Sequence, residues 1–377
     1  MKRRLASIVL TAFASTLSAC GSSDSSGYVD VSFTPTQPIA PANAASTTTA
    51  GPTTTVGDVV QPVSEWAPTE PCTVSALLVP SCGAWLGATT PSRYSESDYP
   101  GGLAEYEAAA QNQPDIMHFY KRDEDVFPTA QEIALAERPG QQRSILFYNW
   151  KPSTSLTWRQ VADGGADASI DAVAASIGQY PHTLFLAVWH EPENDQDVLG
   201  GAADYVAMYR HVVGRLRDLG VTNAVYVMNY MGFALWADVV SDFYPGDDVV
   251  DWIAYDPYGF GAHNDLDAVL NEAAEGWPGF YTWARRKAPD KPIMLGEWGI
   301  ALDKQPRAPK ILDSGVTILQ HRLPQIKALV YWHDYTPPDG LIVRLDESTE
   351  LGIAYADAYR RFANDPYFNS TDTSQAP

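Results

Sequence analysis

Two glutamates close short apolar runs. Leu184-Phe185-Leu186-Ala187-Val188-Trp189 leads into His190-Glu191-Pro192-Glu193-Asn194-Asp195, and Pro292-Ile293-Met294-Leu295-Gly296 leads into Glu297-Trp298-Gly299. Two carboxyl groups facing one another are what hydrolysis of a glycosidic bond needs. One protonates the leaving oxygen; the other attacks the anomeric carbon or activates a water. Glu191 is preferred to Glu193 as the acid because it lies nearer the end of its run and directly follows His190. Aromatic and histidine side chains stand at equivalent places: His118, Tyr258, Trp298 and Trp332. Sugar faces stack on such rings, but His118 and Trp298 read equally well as core residues. Asp256 is placed to brace the loop that carries Tyr258. Asp195 and Asp197 read as solvated loop charges, and Asp251 as a structural residue at a strand start. No cluster has metal-ligand spacing, and hydrolysis by two carboxyls needs neither metal nor other cofactor.

Both glutamates must be carried to one place, and the pattern of the chain supplies the means. Eight short apolar runs alternate with helical stretches, at 84–89, 115–120, 143–149, 183–189, 224–229, 250–255, 292–295 and 327–332. Strands alternating with helices specify a parallel sheet, and eight such units specify a closed (β/α)8 TIM barrel. The clearest helix spans 203–219, with Tyr205, Met208, Tyr209, Val212, Val213 and Leu216 on one face and Gly220 as its stop. No glycine-rich dinucleotide loop follows the first run, which argues against a Rossmann sheet. In a TIM barrel the functional residues sit at the C-terminal strand ends. Glu191 and Glu297 would then look across one barrel mouth, from the fourth and seventh runs.

The remainder of the chain concerns delivery. Of 377 residues, the first 20 resemble a bacterial lipoprotein signal: Lys2, Arg3 and Arg4, an apolar stretch too short to span a bilayer, then Leu17-Ser18-Ala19-Cys20, with Cys20 as the lipidated residue. Residues 21–70 are rich in Ser, Thr, Pro, Ala and Gly and read as a disordered tether. The barrel is assigned to 71–368 and a disordered tail to 369–377. With Cys20 committed to lipid, Cys72 and Cys82 are expected to pair as a disulfide in an oxidising, extracytoplasmic compartment. A net charge of −21 disfavours nucleic acid and anionic surfaces as partners. A neutral polysaccharide is unaffected by that field, and a monomer held to the membrane by its lipid is expected.

The chain resembles glycoside hydrolase family 26, in the clan of barrel glycosidases with glutamates on strands four and seven. The stretches that carry the resemblance are Asp115-Ile116-Met117-His118-Phe119-Tyr120, Trp189-His190-Glu191-Pro192-Glu193-Asn194-Asp195, Tyr244-Pro245-Gly246-Asp247-Asp248-Val249-Val250-Asp251-Trp252-Ile253 and Gly296-Glu297-Trp298-Gly299. The resemblance implies a retaining mechanism with Glu191 as acid/base and Glu297 as nucleophile. It implies that His190 and Tyr258 orient the nucleophile and that Trp332 floors the subsite of the cleaved sugar. The chain departs from the family's mannanases at Ala187, where they usually have Arg, and at Glu193-Asn194-Asp195-Gln196-Asp197, where they are rich in Gly and Trp. β-Mannan is the first substrate to expect. Another β-glycan (β-1,3-xylan, mixed-linkage glucan or a cell-surface polysaccharide) and a non-catalytic glycan-binding lipoprotein are the alternatives. If Cys20 carries the lipid, Cys20→Ala should move the protein from the membrane fraction to the soluble fraction with its fold intact. Unchanged fractionation would remove the anchor.

Overall fold

The computed structural model describes residues 67–95, 97–334 and 342–377. The signal segment, Cys20 and nearly all of the tether lie outside the described residues. Eight parallel strands pair in chain order: β1 (Trp85–Thr89), β2 (Ile116–Arg122), β3 (Ile145–Lys151), β4 (Leu184–Val188), β5 (Ala224–Tyr230), β6 (Trp252–Tyr255), β8 (Ile293–Ile300) and β9 (Ile326–Trp332). β9 pairs back onto β1, with Ala88 opposite Tyr331 and Thr89 opposite Trp332, so the barrel closes. A two-residue strand, β7 (Tyr258–Gly259), adds to the C-terminal end of β8. This is the (β/α)8 barrel that the alternation of runs specifies, and each of the eight runs became a barrel strand.

Side-chain alternation divides the core into two layers. Phe185 and Ala187 of β4 fill the barrel with Trp85, Ile145, Phe147 and Met294, whereas Leu184, Leu186 and Val188 face the helices. The helix Ala202–Asp218 buries Tyr205, Met208, Tyr209, Val212, Val213 and Leu216, as its period specifies. Gly220 follows it in the left-handed region at φ +85°.

β8 runs through Ile300, well beyond the apolar run that ends at Leu295. Its register with β9 shifts between Leu295 and Trp298. The shift has a topological effect. Met294 points into the barrel and Leu295 outward, while Trp298 and Ile300 point outward again. Strict alternation would put Glu297 on the same side as Leu295. The irregularity reverses the parity and turns Glu297 inward.

The N-terminal end of the barrel is closed by segments outside the repeating units. Cys72 and Cys82 are bonded, with Cα atoms 5.4 Å apart. The loop between them inserts Leu78 into the barrel bottom, where it is fully buried. The indoles of Trp85 and Trp252 donate to the carbonyls of Leu78 (2.8 Å) and Leu77 (2.7 Å). The expected disordered tail is a correction: 369–377 packs onto this same end. Thr371, Thr373 and Ala376 are buried. The carbonyl of Pro377 accepts from the backbone of Thr183 at 2.7 Å, and that of Ala376 from Arg143 at 2.7 Å. Its polar composition hid this, because the stabilising contacts are main-chain hydrogen bonds rather than apolar burial.

Candidate active site

The turn leaving β4 is the most irregular backbone in the molecule's mouth. Trp189 and Glu191 both adopt left-handed conformations, at φ +58° and +48°. For residues with a Cβ this costs about 1–2 kcal/mol each, and neighbouring strands hold the strain. The backbone N–H of Trp189 donates to Trp150 on one side (2.9 Å), and that of Glu191 donates to Asn229 on the other (2.9 Å). Pro192 then starts the helix Pro192–Leu199, its ring suited to a position that needs no N–H donor.

Glu191 and Glu297 meet across the mouth with a third carboxylate beneath them. One oxygen from each of Glu191, Asp256 and Glu297 lies within 4.8 Å of the other two. Each has different partners. Glu297 accepts from the hydroxyl of Tyr120 at 2.5 Å and from that of Tyr258 at 2.9 Å. Asp256 accepts from Asn229 at 2.7 Å and from the backbone N–H of Glu297 at 2.8 Å. Among the described residues, Glu191 accepts a longer bond from Asn194, at 3.3 Å. Gly296 makes the arrangement possible: a Cβ there would lie 2.0 Å from the Asn229 side-chain oxygen and 2.7 Å from Asp256.

These partners set the proton's place. Lost hydration, then the Glu297 charge, push Glu191 up to about 8. Burial also raises Glu297, to about 7, while the Tyr120 and Tyr258 hydrogen bonds pull it down. Full ionisation of Glu297 at neutral pH, the simplest expectation, is therefore opposed by its burial. Within the pair, two hydroxyl donors favour the anion of Glu297, whereas Glu191 has one long amide contact, which favours the proton on Glu191. Asp256 is also raised, by burial and by the two glutamates. Burial and the Glu297 charge hold Tyr120 in its protonated, donating form.

Of the expected substrate-contacting residues, Tyr258 and Trp332 are at the site. Trp332 is half-buried and meets the Tyr120 ring edge-on, with centroids 5.6 Å apart. His118 lies below, stacked on Phe147 at 4.2 Å, with its Nδ1 3.4 Å from the Tyr120 hydroxyl. Burial lowers it to about 3, so it is a neutral brace for Tyr120. His190 is a correction as a partner of the nucleophile position. It touches the Tyr120 ring at 5.5 Å, its Nδ1 has no hydrogen-bond partner, and the bonds to Glu297 come from the two tyrosines. Trp298 is a second correction. It is fully buried among Tyr331, Tyr359 and Phe362, on the helix side of β8, because Glu297 occupies the inward position.

Glu193, the alternative acid, points elsewhere. It is fully buried and accepts from the backbone N–H groups of Met231 (3.1 Å) and Gly232 (3.4 Å), fixing the turn after β5. Asp195 is not a solvated loop charge: it accepts from the Trp189 indole at 2.8 Å and from Lys151 at 2.9 Å. Lys151 thus sits 5.3 Å over the Trp189 ring, and its charge lowers both Glu191 and Glu297. Tyr120 and Lys151 were missed. The signal for Tyr120 was its period-two relation to His118 on one strand; Lys151 follows a run with nothing to mark it. Among the described residues, two clusters have metal-compatible spacing, the carboxylate trio above and Glu105–His333–Asp346. In the second, Arg344 fills the centre, bonded to Glu105 and Asp346.

The barrel superposes on solved glycosidases. A ruminal GH26 endo-β-1,4-mannanase aligns with a TM-score of 0.55 at 15% identity, over 78% of this chain and 65% of that one. A β-mannanase from a symbiotic protist of the termite Reticulitermes speratus aligns at 0.54 and 13% identity, over 82% and 99%. The chain has the fold of glycoside hydrolase family 26. Among curated proteins, Endoglucanase H of Acetivibrio thermocellus is 24% identical over 321 residues, which is 78% of this chain and 32% of that protein. The β-1,3-xylanase TXYA of a Vibrio species is 30% identical over 147 residues, 37% of this chain and 28% of that protein. The chain therefore spans about a third of the length of the curated relatives it matches. No family model matches it. Within the family 26 fold, the raised Glu191 has a consequence for stability. A carboxyl whose folded pKa is raised stabilises the fold below its unfolded pKa, and that contribution is lost as pH rises through about 8. Glu191→Gln should therefore be more stable than the parent at pH 8, on the order of 1 kcal/mol or more, with the difference gone by about pH 4. Denaturant titrations at both pH values measure it; equal stability at pH 8 would contradict the assignment.

Proposed function

We propose that the protein is a retaining glycoside hydrolase acting on a neutral β-glycan, with Glu297 as nucleophile and Glu191 as acid/base. The observation that carries this reading is the carboxyl pair within 4.8 Å. Retaining enzymes hold their carboxyls about 5–5.5 Å apart, whereas inverting ones leave about 6.5–9.5 Å for a water. Tyr120 and Tyr258 aim Glu297 at the anomeric carbon. Its attack expels the leaving oxygen, which takes the proton from Glu191. The glycosyl-enzyme discharges Glu297, the raised affinity of Glu191 for its proton falls, and Glu191 then takes a proton from the water that releases the sugar.

β-Mannan is the first substrate in this proposal, supported by the fold shared with mannanases; Ala187 and the Glu193–Asp197 stretch weigh toward another β-glycan. The endoglucanase and β-1,3-xylanase relatives support the same widening. Exposed apolar side chains in the segments that follow β2, β4, β5 and β7 (Val126, Val198, Leu235 and Phe260) suit contact with an extended chain. The lipid at Cys20 would hold the enzyme at the extracytoplasmic face of a bacterial membrane.

A panel of β-mannans, xylans and β-glucans, scored by released reducing ends, identifies the glycan. On it, Glu191→Ala should lower kcat by about 10²–10⁴. Activated aryl glycosides should keep a fast first step, and azide should restore turnover and give a β-glycosyl azide. An α-azide product, or unimpaired Glu191→Ala, would overturn the assignment.

A further inference from the structure

A second recess opens beside Tyr258. The segments Phe260–Asn264 after β7 and Lys304–Arg307 after β8 enclose about 230 Å³. That is below the roughly 300–1,000 Å³ of pockets for drug-sized ligands, a space for a single sugar ring. Two aromatic rings connect the recess to the carboxyl pair. The Phe260 ring centre is 5.9 Å from that of Tyr258, whose hydroxyl donates to Glu297. Phe260 is also 6.0 Å from Phe233, and it is 36% exposed, so its outer face is open.

The two segments are tied together. Gln305 is buried; its amide donates to the Gly261 carbonyl and its oxygen accepts from the Arg307 backbone at 3.2 Å. The Arg307 guanidinium donates to the Asn264 side chain at 2.7 Å. Among the described residues no carboxylate pairs with Arg307, which is exposed and lines the recess. Lys304 is exposed and pairs only with its chain neighbour Asp303, at 3.0 Å. In a chain of net charge −21, Arg93, Arg138, Arg210, Arg215, Arg322 and Arg344 bind carboxylates of the chain itself, and Arg307 does not. The overall charge does not cancel the local one, because salt screens it beyond about 8 Å.

An aromatic face and two cations over one sugar-sized space have a matching ligand. We propose that the recess is a glycan subsite for a carboxylate-bearing sugar, a single uronic acid branch on the otherwise neutral backbone that the carboxyl pair cleaves. The apolar face of its ring packs on Phe260, and its carboxylate takes the free N–H groups of Arg307 with Lys304 alongside. A single charged branch suits the site; a polyanion would meet the acidic surface around it. The location beside a cleavage site rests on the hydrolase reading, but the binding does not.

Ligand-observed NMR on the full chain tests this with methyl β-D-glucuronide, methyl β-D-glucoside and glucose 6-sulfate as probes. The glucuronide should bind at least about ten-fold more tightly than the glucoside, the value of one charge-assisted contact. Lys304→Gln with Arg307→Gln should abolish that preference, Phe260→Ala should weaken both neutral and charged sugars, and about 0.5 M salt should reduce the preference. Glu297→Ala should leave it intact, so a loss of hydrolysis with binding retained touches the hydrolase reading alone. Equal affinity for glucuronide and glucoside, a preference that survives the double substitution, or tighter binding of the sulfate would overturn the proposal.

Discussion

Carboxylates packed within 4.8 Å of one another in a site shielded from water repel strongly. At an effective dielectric constant near 20, each like-charged pair at that distance is worth roughly 3–4 kcal/mol. Three such groups, with Lys151 as the nearby cation, cannot all be ionised at neutral pH. The surrounding structure decides which carries the proton. Two tyrosine hydroxyls stabilise the anion of Glu297, while Glu191 receives one long hydrogen bond and the fields of its neighbours. Asp256 is used differently. Its oxygens hold the Glu297 backbone and Asn229, so its part is to position them.

That electrostatic arrangement depends on two backbone irregularities. The register shift in β8 turns Glu297 to the inside of the barrel, and the left-handed turn after β4 brings Glu191 over it. Both lie at the C-terminal ends of strands. At the other end, Leu78, the disulfide and the C-terminal segment close the barrel with apolar burial and main-chain hydrogen bonds.

The sequence carried much of this. Each strand was legible because its apolar run is interrupted by turn and helix composition. Glu191 and Glu297 were legible because they follow such runs. Trp298 was left open between sugar contact and core because an aromatic beside a functional residue looks the same on either face of a strand; the register shift reveals which face it takes. His190 was expected beside Glu297 because the family resemblance implied it; Tyr120, from a strand far away in the chain, makes that hydrogen bond instead. The 369–377 segment shows the converse failure. Its polar residues lack a burial pattern, yet its carbonyls complete hydrogen bonds that the barrel end needs.

The account turns on covalent attack by Glu297. A 2-deoxy-2-fluoro glycoside of the sugar identified on the substrate panel, with a good leaving group, should arrest the enzyme after the first displacement. Mass spectrometry of the digested protein should then find one sugar attached to the peptide containing Glu297, with Glu191 unmodified. A label on any other residue, or rapid turnover of an active enzyme with no label at all, would contradict the assignment.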